Sequence, residues 1–255
     1  MTACLTCLLL AAFAAPPPTP SKAAQAEFLR QAGIIANKQL SQGVTESRRT
    51  TLKLGAVRHD AHVQAINDPE EHDSYRNNLA AFELRDLLGL DNIPVTVLRD
   101  FNGRPASFTW WIDDVLMTEK TRQAKAIQPP ETQAWNRQVY TMKVFDLLIH
   151  NVDRNMENVI IDKRWKLWMI DHSRAFQPES VLHDPADVIR CDRALLARLR
   201  ALDAANLQPK LSPWISPAQI SALLARRDLI VKAFEELIAA KGEEEILYDH
   251  LPAEK

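Results

Sequence analysis

Three polar residues in the second half of the chain have the types and the spacing of a phosphoryl-transfer site. Asn158 follows Asp153 by five residues, and Asp171 follows Asp153 by eighteen. Phosphoryl transfer needs one carboxylate that accepts or orients the attacking hydroxyl. It also needs a second carboxylate and an amide oxygen that hold Mg²⁺ against the phosphates of a nucleotide. The three residues together are therefore candidates for a base and a metal site.

The elements around these residues are expected to bring them together. Two apolar runs of strand length, Asn158–Ile161 and Trp165–Ile170, flank a polar turn and predict a β-hairpin. A short hairpin returns the chain to where it began, so Asp171 is expected beside Asp153. Upstream, apolar side chains at spacings of three or four predict a buried helix that reaches Ile149.

The segment 146–176 carries a motif of some specificity. Its pattern is D-R-x-x-x-N, an apolar pair, a hairpin, and then I-D-x-x-x-A-F. This pattern resembles the atypical protein-kinase-like superfamily, which includes the HipA-type toxin kinases, the secretory-pathway kinases and the phosphatidylinositol kinases. The resemblance implies that Asp153 is the catalytic base, that Asn158 and Asp171 bind Mg²⁺, and that ATP is the nucleotide.

Two positions depart from the pattern of these families. Asn155 follows the Asp-Arg pair where they often carry histidine, and Asp171 is followed by His172 and Ser173 instead of Phe-Gly. Neither position supplies an oxygen to the metal, so both departures are compatible with the resemblance. Asp146, on the preceding helix, also suits these families.

The first half of the chain fits the same superfamily more loosely. Kinases pair a strand lysine with a helix glutamate so that the lysine can hold the phosphates. The resemblance places Gln64 in the lysine position and Asn78 in the glutamate position. Losing one charge alone would leave the other buried and unpaired, at roughly 3–5 kcal/mol, whereas two amides can hydrogen-bond each other and still donate to a phosphate oxygen. A replacement cation is then expected from Lys53, Arg48 or Arg49.

The order of the predicted elements favours a two-lobed, protein-kinase-like α+β fold. A strand-rich N-lobe is expected over residues 25–118 and a helical C-lobe over residues 119–255. Further expectations concern single segments: helices over Gln25–Leu40 and Asp192–Asn206, a connector over Gln123–Pro130, and a solvated helix face with one inward salt bridge at Arg226-Arg227. Ser74 and Ser216 are expected to cap helices, and Asn102-Gly103 is expected to form a hairpin turn.

Composition excludes some classes of function. The chain has 255 residues and a net charge of −2, and its lysines and arginines are interspersed among acidic residues. Because no basic stripe stands out, nucleic acid is not an expected partner. Glycine is scarce, at 6 residues, which disfavours a glycine-rich phosphate loop.

The N-terminus predicts export. Residues 1–15 are interpreted as a secretory signal peptide because the apolar run Leu5–Ala15 ends in the small-x-small site Ala12-Phe13-Ala14. Residues 16–24 are interpreted as a linker. The apolar run is too short to span a bilayer, so no stable membrane insertion is expected. The protein is then periplasmic or secreted, and it is cytoplasmic if this segment is not a signal.

Three functions are compatible with the sequence. The first is an ATP- and Mg²⁺-dependent atypical kinase that moves a phosphoryl group to a hydroxyl of a protein, a sugar or a lipid. The second is a pseudokinase, a nucleotide-binding or scaffold module without transfer activity, which Gln64 and Asn78 favour. The third is transfer of AMP to a side chain, which the kinase-like fold supports when the nucleotide binds reversed. The sequence leaves the acceptor and the oligomeric state open.

Overall fold

The computed structural model describes residues 20–40 and 47–250. The predicted signal peptide and the start of the predicted linker lie outside these ranges. The described residues form a strand-rich N-lobe and a mostly helical C-lobe, so the predicted two-lobed α+β fold is confirmed. Within them, no helix is long and apolar enough to cross a membrane.

The N-lobe is built on a single antiparallel sheet. Its elements in chain order are α1 (Lys22–Gln31), β1 (Gly33–Gln39), β2 (Arg48–Leu54), β3 (Val57–Gln64), β4 (Asn67–Asp68), β5 (Asp73–Ser74), α2 (Tyr75–Leu87), β6 (Thr96–Phe101) and β7 (Arg104–Trp110). The five longer strands lie in the order β1-β2-β3-β7-β6. The β6–β7 turn is the predicted Asn102-Gly103 pair, and both residues have positive φ, as a tight hairpin requires.

The first helix differs from the prediction at both ends. It begins at Lys22, inside the predicted linker, because the Ser21 side chain caps it by accepting a hydrogen bond from the Ala24 amide at 3.2 Å. It ends at Gln31 instead of Leu40. Gly33 and the β-branched pair that follows it favour an extended chain, and pairing with β2 makes that segment the edge strand β1.

The C-lobe combines a small sheet with a helical bundle. Its elements are β8 (Val115–Thr118), α3 (Glu119–Ala124), α4 (Thr132–Ile149), β9 (Val159–Asp162), β10 (Leu167–Met169), β11 (Cys191–Asp192), α5 (Arg193–Ala201), α6 (Ala204–Leu211), α7 (Pro217–Lys241), α8 (Glu243–Ile246) and β12 (Leu247–Tyr248). The β9–β10 hairpin is confirmed. Strand β8 lies within the range predicted for the N-lobe, residues 25–118, and it pairs with β9 of the small sheet.

Two further segments correct the expectations. Helix α3 occupies the start of the predicted connector. The predicted helix over Asp192–Asn206 is two helices, because Leu202 adopts an extended conformation and Asp203 starts α6 with a capping box to Asn206. The sequence carried that second cap signal, an Asp three residues before an Asn, inside an otherwise apolar helical pattern.

Helix α2 links the two lobes. Its N-terminus is capped by Ser74, as the sequence predicted. Three of its apolar residues and its C-cap residue belong to the large C-lobe core rather than to the smaller core beneath the N-lobe sheet: Ala80, Ala81, Leu84 and the C-cap Leu88. The helix that carries Asn78 is therefore packed against the lobe that carries the candidate metal ligands.

Candidate active site between the lobes

A cavity of about 880 Å³ lies between the lobes. Its walls hold the three residues singled out from the sequence, Asp153, Asn158 and Asp171, together with Asn78. The remaining wall is largely apolar, which suits a nucleotide base. It includes Ile93, Pro94, Trp110, Trp111, Ile112, Val115, Ile160 and Met169. The hairpin has thus brought distant residues to one site, as predicted.

A buried ion pair fixes the loop that carries Asp153. Arg154 donates two hydrogen bonds of 2.9 Å to the two carboxylate oxygens of Asp146, and each side chain is only 8% exposed. A third donor of Arg154 reaches the backbone oxygen of Ile170 at 2.7 Å. Helix α4, the loop and the residue before Asp171 are therefore tied to one guanidinium. The sequence showed the Asp-Arg dipeptide but gave no sign of this anchoring role.

Local hydrogen bonds place Asn158 at the open end of the hairpin, opposite Ile170. The Asn155 side chain accepts from the backbone amides of Glu157 and Asn158 at 2.9 and 3.2 Å, which closes a single helical turn. The backbone oxygen of Asn158 accepts from the amide of Ile170 at 3.1 Å. Asn155 is thus a turn-forming residue here.

Asp171 has a backbone conformation that side chains rarely adopt. Its φ is 53°, in the left-handed region. Such a conformation costs on the order of 1–3 kcal/mol and persists only where surrounding contacts hold it. One carboxylate oxygen, Oδ1, accepts from Gln64 Nε2 at 3.2 Å and from the Ser173 amide at 3.4 Å. No described residue donates to Oδ2, which remains available to a cation. Strain held at a cavity wall is typical of a functional position.

Gln64 and Asn78 form the amide pair that the sequence suggested. Asn78 Nδ2 donates to Gln64 Oε1 at 2.6 Å, and Asn78 Oδ1 accepts from the His172 amide at 2.8 Å. Gln64 is 1% exposed and its Nε2 donates to both Ser47 and Asp171. Asn78 Nδ2 also contacts Ser107 Oγ at 3.4 Å. Each amide has two N–H donors, so this arrangement leaves neither residue a donor for a phosphate oxygen.

The three expected replacement cations do not line the cavity. Lys53 is exposed near the β2–β3 turn, opposite Arg58 and at the far end of β2 from Gln64. Arg49 is held by Asp60 at 2.5 Å and lies over the Trp111 ring at 4.4 Å. Arg48 donates to the Asn37 side chain at 3.0 Å across the β1–β2 ladder. The sheet register directs these three side chains elsewhere.

One cation that sequence reasoning missed does reach the cavity. Arg174, three residues after Asp171, donates to Asp73 at 3.2 Å and lies 3.7 Å from Asp153. Its position three residues after the candidate metal ligand Asp171 was the only available signal, because nothing in the sequence connects it with Asp73.

A second missed arginine supports the segment that follows the site. Arg226 is completely buried, and it donates to the backbone oxygens of Leu148 at 2.9 Å and Gln177 at 3.1 Å, and to that of Glu179. The expected solvated face is therefore wrong for Arg226, and it contacts carbonyl groups instead of forming a salt bridge. Burial lowers the pKa of this guanidinium to about 10.

The donor set at the site fits Mg²⁺ bound together with phosphates. Among the described residues, no group of three or more His, Cys, Asp or Glu could hold a metal ion by itself. Mg²⁺ is usually held by one or two carboxylates, water and substrate phosphates. The free Oδ2 of Asp171 and the amide oxygen of Asn158 match that need, and they are hard oxygen ligands.

Comparison with family models and with curated proteins finds no match for this chain. Solved structures with a similar fold exist. One is the crystal structure of a Helicobacter pylori proinflammatory kinase, CtkA, with a TM-score of 0.56 and 12% sequence identity. The similarity covers 82% of this chain and 98% of that chain. It supports the kinase-like fold of the present protein.

Proposed function

We propose that this protein is an atypical kinase that moves the terminal phosphoryl group of ATP to a hydroxyl. The observation that carries this proposal is that Asp153, Asn158 and Asp171 line one cavity between the lobes, beside an apolar wall. The similar fold of a protein described as a kinase supports this proposal at the level of the fold.

Each residue has a role that its geometry suits. Asp153 is 46% exposed at the cavity wall, so an acceptor hydroxyl can reach its carboxylate and transfer a proton to it. Asn158 and Asp171 would hold Mg²⁺, which neutralises charge on the phosphates when bound. The apolar wall excludes water around the nucleotide base. The ion pair Asp146–Arg154 keeps the loop that carries Asp153 in place.

The test is a thermal shift with ATP or ADP in the presence and absence of Mg²⁺. We expect wild-type protein to be stabilised by MgATP, and Asp171→Ala to lose the Mg²⁺-dependent part of the shift. Glu235→Ala, at an exposed site remote from the cavity, is the matched control and should behave as wild type. Absence of any shift in the wild type would refute nucleotide binding.

A second candidate, the pseudokinase, is favoured by the neutral Gln64–Asn78 pair. Incubation with γ-labelled and α-labelled ATP separates the alternatives. Transfer of the γ label indicates phosphorylation, and transfer of the α label indicates AMP transfer. Nucleotide binding with neither transfer, tested with protein, sugar and lipid acceptors, indicates a binding module. Loss of label transfer in Asp153→Asn would tie the activity to this site.

A further inference from the structure

The cavity contains few cations able to hold a phosphate. Among the described residues that line it, only Lys120 and Arg174 carry a permanent positive charge. Lys120 is 67% exposed at the rim and pairs with Glu157 at 3.2 Å. Arg174 is 33% exposed and lies between the lobes, next to the candidate base. Since the amide pair has no free N–H group, a cation for the phosphates must come from another position.

The backbone on both sides of Arg174 is fixed. The Ser173 oxygen accepts from the Ser74 amide at 2.9 Å and from Asn77 Nδ2 at 2.7 Å. The Ala175 oxygen accepts from the same Asn77 nitrogen at 2.9 Å. These contacts attach the segment to the start of α2, so the root of the Arg174 side chain is held in place relative to Asp171.

The side chain is held from the N-lobe by a buried carboxylate. Asp73 is 4% exposed, its Oδ2 accepts from Arg174 Nε at 3.2 Å, and its Oδ1 is buried with no described partner. The hydrogen bond to Asp73 raises the pKa of Arg174, so the guanidinium is charged at every physiological pH. Guanidinium has five N–H donors in a planar fork, and one bond to Asp73 leaves most of them for the cavity.

We infer that Arg174 is the cation that binds the transferred phosphate, and that Asp73 is its positioning residue. The pair Asp73–Arg174 then takes the place of the missing lysine–glutamate pair with its polarity reversed, since the carboxylate now comes from the N-lobe and the cation from the C-lobe. In the transfer, the bond from the γ-phosphorus to the bridging oxygen breaks and a bond to the acceptor oxygen forms. The hydroxyl proton goes to Asp153, ADP leaves, and Arg174 contacts the phosphoryl oxygens throughout.

This inference rests on the proposed function, and the test keeps the two apart. Dissociation constants for MgATP and MgADP are measured by calorimetry on wild type, Arg174→Lys and the double variant Asp73→Asn with Arg174→Gln. The double variant avoids an unpaired buried carboxylate and copies the neutral Gln64–Asn78 arrangement, so it should fold. Arg200→Gln, in an exposed ion pair with Glu235, is the matched control.

We expect the double variant to bind MgATP about tenfold or more weakly, because a charged hydrogen bond to the γ-phosphate is lost. Its MgADP affinity should stay within about twofold of wild type, as should both affinities of Arg200→Gln. Arg174→Lys should lose less MgATP affinity than the double variant, since it keeps the charge. An unchanged ATP-to-ADP preference in a folded double variant would overturn this inference and leave the kinase proposal standing. A wild type that binds neither nucleotide would overturn both.

Discussion

Two buried polar pairs hold the chain on either side of Asp171, and they differ in charge. In the C-lobe the pair is the ionic Asp146–Arg154, whose arginine donates to the backbone oxygen of Ile170. In the N-lobe the pair is the neutral Gln64–Asn78, whose asparagine accepts from the backbone amide of His172. One metal-ligand candidate is thus positioned by an ion pair from one side and by two amides from the other.

The difference separates two tasks that a lysine–glutamate pair combines. Positioning a backbone segment requires only well-placed donors and acceptors, and the amides supply them without burying a charge. Neutralising charge on a phosphate requires a cation, and the amides cannot supply one. The C-lobe pair keeps its charges because both are satisfied by a bidentate contact. In the N-lobe a charge is carried instead by Asp73, five residues before Asn78, and this carboxylate pairs with Arg174.

Asp146→Ala, which removes the ionic pair of the C-lobe, should have the largest effect on stability. It leaves Arg154 buried and unpaired, so the free energy of unfolding should fall by about 3–5 kcal/mol. Denaturant unfolding at neutral pH measures this. The exposed carboxylate of Glu235 is the control, and Glu235→Ala should cost less than about 1 kcal/mol. Equal losses for the two variants would show that the buried pair has no special structural weight.

Gln64→Lys, alone and with Asn78→Glu, converts the neutral pair into an ionic one. The single change should lower the free energy of unfolding by about 1–3 kcal/mol, because it buries a cation and breaks three hydrogen bonds. The added glutamate should recover part of that loss, with a coupling energy of about 0.5–3 kcal/mol in a double-mutant cycle. Additive effects would mean that the two positions do not form a kinase-type pair.

His172 lies between the two pairs and predicts how stability depends on pH. Burial, and then the nearby charge of Arg154, lower its pKa well below the ordinary value of 6.5. Below about pH 6.5 the unfolded chain binds a proton that the folded chain refuses, so stability falls as the pH drops toward the folded pKa. Burial lowers the pKa of His62 and of His150 in the same direction.

Replacing His172 should therefore weaken the pH dependence. We expect the difference in unfolding free energy between about pH 7.5 and about pH 5.5 to be smaller in His172→Gln than in wild type, by about 1.4 kcal/mol for each pKa unit of depression within that range. Parallel curves for His172→Gln and wild type would contradict the assignment.

Lys53→Ala should have the smallest effect, and it tests whether a cation on β2 contributes to MgATP binding. Because Lys53 is exposed and away from the cavity, both stability and MgATP affinity should change by no more than about 0.5 kcal/mol, or about twofold in Kd. Thermal melts and calorimetry measure the two quantities. A large loss of affinity would indicate that the cation for the phosphates lies on β2, as expected from the sequence alone.

Local sequence patterns are sufficient to predict the secondary structure around the candidate site. The caps at Ser74 and Ser216, the hairpin after Asn158 and the buried helix before His150 follow from local patterns, because periodicity and capping are properties of neighbouring residues. These local elements are sufficient to predict a two-lobed fold and to bring Asp153, Asn158 and Asp171 to one place.

The contacts between side chains of the two lobes depend on tertiary packing and could not be predicted from the sequence. Asp73 and Arg174 are 101 residues apart, and no local pattern relates them. The same holds for Arg226, which contacts backbone oxygens of α4 and of the segment after Phe176. It also holds for β1, whose strand form depends on pairing with β2. Long-range contacts of this kind are set by how the elements pack, so the sequence could name the candidate metal ligands but could not place Arg174 beside them.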